Sequence, residues 1–259
     1  MRAAWLLALV LAAGCASQPE LKGPVGKTGT VTGDPTAPRN RARVHTDLGM
    51  AYYARGNMSV AVEELRIAVA ADPTYAPAHG AFGLVYMELR ENALAEESFR
   101  RGLEYAPDDP DINHNYGWFL CQVDRPNEAK PYFRRALDNP LYATPGRTYA
   151  AAGACALQQG DLKEAELNLE RALRFEPNLP VAMLKLAELR YRQKRYPDAR
   201  VALTRYTAIA PLSPESLWLG VRIERRMGSR TAELSYANQL RRRFPASPET
   251  QLLNRGAYD

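Results

Sequence analysis

The chain has 259 residues, of which 46% are hydrophobic and 24% charged, and its formal net charge is +5. That length suits one or two domains, and the composition is ordinary for a soluble helical protein. The charge is modest and no recognised binding motif accompanies the arginines, so a nucleic-acid partner is not expected.

The N-terminus carries one basic residue, Arg2, and then an apolar run over residues 5–13. The run is too short to span a bilayer stably and has the layout of a secretory signal. It ends Ala12-Ala13-Gly14-Cys15, which resembles the bacterial lipobox, with Ala12 where leucine is usual and Leu11 one place further back. The resemblance implies that residues 1–14 are a lipoprotein signal peptide and that Cys15 is lipidated; ordinary cleavage leaving Cys15 a free thiol is the alternative. Ala16 stands where an aspartate would commonly retain a lipoprotein in the inner membrane. The implied address is therefore the outer membrane, facing the periplasm.

Residues 15–41, following that cut, read as a flexible tether. Gly23, Gly26, Gly29 and Gly33 are interspersed with Pro19, Pro24, Pro35 and Pro38, and no apolar period is available to bury. Such a segment gains too little from burial to offset its ordering entropy. As a flexible chain it would span roughly 30 Å on average.

From residue 42 the chain repeats. Residues 76–109 read as two helices, the first carrying His79, Phe82, Gly83 and Tyr86, the second Ala95, Phe99 and Gly102, with Pro107 closing the unit. Apolar and small residues three and four apart mark one buried face on each helix. Proline cannot continue the second helix and suits the first turn of the next. The same pattern recurs over 42–75, 110–143, 146–179, 180–213 and 214–247, with a short insertion around Thr144 and Pro145. The last copy is the weakest, with Glu233 in a small-residue position; residues 248–259 are left as a C-terminal tail. This period and residue set resemble the tetratricopeptide repeat. The expected fold is all-α, a right-handed superhelix of six helix-turn-helix repeats.

No catalytic constellation emerges, so the chain reads as a binding protein and not an enzyme. His45, His79 and His114 sit on first helices of successive repeats, too far apart for a metal site, and a repeated structural slot explains the first two. There is no phosphate loop, nucleophile elbow or zinc-protease motif. Acidic pairs such as Glu63-Glu64 and Glu96-Glu97 are expected on solvated faces of second helices. The arginines of the last repeat, Arg222, Arg225, Arg226, Arg230, Arg241, Arg242 and Arg243, read as a solvated face or as a contact for acidic lipid or a partner. Neither a cofactor nor a small-molecule substrate is implied.

Cys121 and Cys155 lie 34 residues apart on the first helices of repeats 3 and 4. In an oxidising compartment they could form a disulfide; two buried thiols acting as small hydrophobes is the other reading.

By resemblance to known repeat superhelices, first helices line the concave face. The register assigns Met50, Tyr53, Leu84, Met87, His114, Trp118, Leu157, Leu184, Tyr191 and Trp218 to a partner-binding groove, with core slots filled by Leu48, Tyr52, Phe82, Tyr86, Tyr116 and Leu120. Repeats 1–3 then offer an apolar lining suited to hydrophobic anchors of a peptide.

Residues 113–121 (N-H-N-Y-G-W-F-L-C), residues 151–166, the lipoprotein start, the six repeats and the total length resemble the type IV pilus biogenesis and stability lipoproteins called PilW or PilF. That family implies a pilotin, a lipid-anchored helper that localises, assembles or stabilises the secretin subunits of the type IV pilus outer-membrane pore. A general envelope scaffold, organising cell-wall enzymes or another secretion machine, stays open beside it.

Overall fold

Proline and short polar caps set where the helices begin. The computed structural model describes residues 37–258, so the signal peptide, Cys15 and the tether up to residue 36 lie outside the described residues. The helices follow in antiparallel pairs: α1 (Pro38–Ala54) with α2 (Met58–Ala71), α3 (Ala76–Glu88) with α4 (Asn92–Tyr105), and α5 (Pro110–Gln122) with α6 (Pro126–Asp138). Then come α7 (Pro145–Gln158) with α8 (Leu162–Phe175), α9 (Pro180–Arg192) with α10 (Tyr196–Ile209), and α11 (Pro214–Arg226) with α12 (Arg230–Arg243). A thirteenth helix, α13 (Pro248–Arg255), closes the series. Among the described residues there is no strand, and the pairs stack as the tetratricopeptide superhelix.

Asp109 and Asp161 cap α5 and α8 by accepting from the backbone N–H of Ile112 (2.9 Å) and Glu164 (3.0 Å). Ser213 and Ser216 form a reciprocal capping box on α11. Such caps satisfy amide donors that a helix start leaves orphaned. The turn inside each pair needs one residue in the left-handed region. Gly56, Gly160 and Gly228 supply it freely, whereas Arg90, Asp124 and Lys194 hold the same place at φ of 63°, 59° and 60°. Side chains there cost stability that glycine avoids.

Close helix approach explains the small residue midway along the first helices. A Cβ on Gly83 would overlap the ring of Phe99, and one on Gly117 would lie 2.9 Å from the Phe133 ring. Phe99, Phe119, Tyr116 and Leu120 are fully or almost fully buried in the cluster that joins repeats 2 and 3.

Four expectations change. Helix α1 starts at Pro38, inside the stretch read as tether, because Pro38 is pre-organised for a first turn. Residues 248–255 are helical and not a tail: Ser247 accepts from the Thr250 N–H (3.2 Å) and Pro248 opens the helix, the same Ser-Pro start found at Ser213-Pro214. Leu48 is exposed and not core. Phe82, one repeat on, packs on Ala61 and Leu65 of the preceding α2; α1 opens the described solenoid and has no such helix before it among the described residues. Finally, Glu64 and Glu96 turn inward. Glu64 meets His45 Nδ1 at 2.7 Å, and Glu96 receives Arg125 at 2.7 Å and the Tyr116 hydroxyl at 3.2 Å. The Arg125 hydrogen bond is the main reason the Glu96 carboxyl is held below its ordinary pKa.

Candidate functional site

One helical position runs along the first helices from end to end: Met50, Leu84, Trp118, Ala154, Glu188 and Arg222, spaced by one repeat each. Its chemistry changes along the way, apolar in repeats 1–3, small in repeat 4, ionic in repeats 5 and 6. The two halves of the concave face are therefore built differently.

In the first half, Met50, Tyr53, Leu84, Met87 and Trp118 are all partly buried. Each rests against a core cluster on one side, Met50 and Tyr53 against that of Ala61 and Leu65, the others against that of Phe99 and Tyr116. A cavity of about 220 Å³ opens between α1, α3 and α5, bordered by Met50, Gly80, Leu84, Ile112 and Asn115. Met50 and Leu84 border this hollow, with Asp109 and Asp111 on its rim, and large apolar side chains left partly exposed are what an apolar anchor of a partner would cover.

The second half is closed. Lys185 bridges Glu188 (3.2 Å) and Glu215 (2.7 Å), and Arg192 donates to Glu188. Four residues expected in the groove are buried there instead. Leu157 belongs to the cluster of Ala150, Ala182 and Leu189, whose small members let neighbouring helices approach. Leu184 and Tyr191 sit in the cluster of Met183, Leu203 and Ile223. Trp218 is only 8% exposed because the Tyr258 ring stacks on it at 5.6 Å.

His114 stays partly buried and is tied to the next repeat. Its Nδ1 lies 2.9 Å from Thr148 Oγ1, and that hydroxyl lies 2.9 Å from the Tyr142 hydroxyl of the insertion. The side chain thus ties repeat 3 to repeat 4. Burial pushes its pKa down to about 4, with the positive charge of Arg147 acting in the same direction. Since the folded value lies below the unfolded one, this contribution is fully present above pH ~6.5 and is lost as pH falls toward 4. Between pH 7 and 4.5 the protein should lose about 1–3 kcal/mol more stability than its His114→Gln variant, as read from urea unfolding at each pH. Equal losses in the two proteins would show that His114 titrates normally.

The remaining histidines are structural: His79 Nε2 bonds the Pro73 carbonyl at 2.9 Å, a role Asn113 takes one repeat later on the Pro107 carbonyl at 2.8 Å. Among the described residues no three His, Cys, Asp or Glu side chains gather to hold a metal ion.

Cys121 and Cys155 are joined as a disulfide between α5 and α7, with Cα atoms 5.8 Å apart. Both cysteines are buried in the core cluster of Phe99 and Tyr116, and Cys155 also borders a cavity of about 370 Å³ between α6, α7 and α8. The arginines of the last repeats are largely paired. Arg200 grips the buried Glu224 through two hydrogen bonds, one of 2.7 Å. Arg225 and Arg230 reach the buried Glu233 at 3.1 and 3.2 Å, which is how a glutamate occupies that small-residue position.

Known proteins share this fold. Residues 76–109 and 156–218 each match the tetratricopeptide repeat family. The type IV pilus assembly protein PilF of Pseudomonas aeruginosa is 32% identical over 234 residues, spanning 88% of this chain and 93% of that protein. The crystal structure of PilW, a widely conserved type IV pilus biogenesis factor, superposes with a TM-score of 0.75 at 34% identity, over 82% of this chain and 97% of that one. The structure of Pseudomonas aeruginosa PilF gives a TM-score of 0.74 at 30% identity, over 85% and 99%. A helical repeat scaffold alone would match many proteins, but identity sustained over almost the whole length of these relatives is specific, and the chain belongs to the PilF/PilW family of type IV pilus biogenesis tetratricopeptide repeat proteins.

Proposed function

We propose that this protein is a pilotin: an outer-membrane lipoprotein, anchored through Cys15, whose repeats face the periplasm and capture subunits of the type IV pilus secretin. It acts by binding and not by catalysis. The observation that carries the reading is the half-exposed apolar row of Met50, Tyr53, Leu84, Met87 and Trp118 in a protein of this family. A row of this kind suits an apolar segment laid along a groove, which gains affinity by covering large side chains already held in place.

The anchor follows from the lipobox-like sequence. Among the described residues no helix is long and apolar enough to cross a membrane. Acyl chains contribute about 0.8 kcal/mol per buried methylene, and nothing in the polar stretch after Cys15 replaces them. In cells lacking the gene, outer-membrane secretin multimers and pili should be lost and then restored by the intact chain. A Cys15→Ser chain should take up no labelled fatty acid, leave the membrane fraction and fail to restore them. Normal multimers without the gene would sink the pilotin reading; labelled Cys15→Ser protein would sink the anchor.

A further inference from the structure

Residues 256–258 lie on the chain's own concave face in the manner of a bound peptide. Gly256, in the left-handed conformation at φ 69°, ends α13 and turns the backbone back on itself, with the Ala257 N–H bonded to the Leu252 carbonyl (3.0 Å). Tyr258 then reaches α11. Its ring stacks on Trp218 with centroids 5.6 Å apart, and the Arg225 guanidinium lies 3.9 Å from the ring centre on its own account. Arg222 donates from Nε to the Tyr258 carbonyl at 3.0 Å while its guanidinium covers the Tyr191 ring at 4.4 Å. The ring is held by an indole and a guanidinium, and the backbone is held by a charged donor, which is how a groove captures an aromatic anchor. Beside it remains a cavity of about 380 Å³ bordered by Tyr191, Arg222, Arg225, Arg226, Gly256 and Tyr258. Arg222, Arg225 and Arg226 border it, Arg225 also reaching the buried Glu233 at 3.1 Å, and so cationic a border suits a carboxylate through charge-assisted hydrogen bonds.

We propose that the concave face of the last two repeats is a second peptide-binding site, for a segment that presents an aromatic side chain next to a carboxylate, and that residues 256–258 keep it closed until such a segment displaces them. The chain's own sequence there, Gly-Ala-Tyr-Asp, has that chemistry. The site is separate from the apolar row of repeats 1–3 and does not depend on the secretin reading.

The test uses the chain from Ala16 onward carrying Trp118→Phe, which leaves Trp218 as its one tryptophan, since the third is Trp5. The probe is the synthetic peptide Asn-Arg-Gly-Ala-Tyr-Asp with an amidated C-terminus, so that the aspartate side chain is its one carboxylate, followed by Trp218 fluorescence and by chemical shifts. A chain lacking residues 256–259 should bind it about tenfold or more tightly than the full-length chain does. Replacing the peptide's tyrosine by alanine, or its aspartate by asparagine, should each weaken binding by about tenfold. The full-length Tyr258→Ala chain should also gain binding, which covers the case in which the shortened chain is poorly folded. Equal affinity of the open and full-length chains, binding indifferent to the tyrosine and aspartate, or no binding to either open chain would each overturn the proposal.

Discussion

Reducing the Cys121–Cys155 bond should destabilise the protein by about 2–4 kcal/mol, and the loss should be concentrated where repeats 3 and 4 meet. The bond closes a loop of sequence separation 34. Restricting the unfolded chain over a loop of that length contributes close to 4 kcal/mol in the chain-entropy account, and native-state strain can only lower the figure. The junction needs the help. Between α6 and α7 runs the loop whose exposed Leu141 contributes nothing to the core, and the polar link from His114 through Thr148 to Tyr142 rests on a histidine whose burial makes protonation costly. Because a solenoid holds each repeat chiefly through its neighbours, loosening one junction lets the two halves unfold apart. Hydrogen exchange should therefore rise first in α5 and α7 on reduction, while α1 and α12 change little. Mass spectrometry of the unreduced protein from cells gives the resting state directly. Two free thiols there, or uniform exchange on reduction, would remove the bond from the account.

Truncating the apolar row should have the larger functional effect. Trp118→Ala or Tyr53→Ala should each weaken secretin binding by about 1–3 kcal/mol, a five- to more than a hundredfold loss in affinity. Some stability goes as well, about 1 kcal/mol apiece, because both side chains are partly packed against core clusters. The combined Met50, Tyr53, Leu84 and Trp118 to Ala chain should keep its helical spectrum and lose the ability to support secretin multimers in the outer membrane. Trp118 also couples the two results: it stands one turn before Cys121 on α5, so the disulfide fixes the helix that ends the row. Normal multimers in the folded quadruple variant would refute the groove assignment and leave the family membership untouched.

The repeats were readable because they rest on local, periodic signals. Helix pairs, small residues where backbones approach, and prolines at the joints recur about every 34 residues, with the insertion between repeats 3 and 4 as the one shift, and each works within a repeat and its neighbour. The lining of the groove was readable only as far as neighbouring repeats decide it. Met50, Leu84 and Trp118 stay partly exposed, as register alone suggests. Trp218 and Tyr191 do not, because the residues that cover them, Tyr258 and Arg222, come from the end of the chain and from the next repeat. Register gives the direction of a side chain from its helix and says nothing of a distant segment folding over it. The Ser247-Pro248 start of α13 was nevertheless visible, one repeat after Ser213-Pro214. Glu96 shows the same limit in ionic form: beside Glu97 it reads as half of a solvated pair, yet Arg125, from the next repeat, draws it inward.

Photo-crosslinking from the groove itself tests the central claim most directly. A photoreactive amino acid in place of Leu84, in cells that make pili, points from α3 into the hollow between α1 and α5. The same residue in place of the exposed Arg101 on α4 serves as the control. An adduct with the secretin formed from position 84 and absent from position 101 is the expected result. No secretin adduct from position 84 in cells that assemble the pore, or equal adducts from both positions, would contradict it.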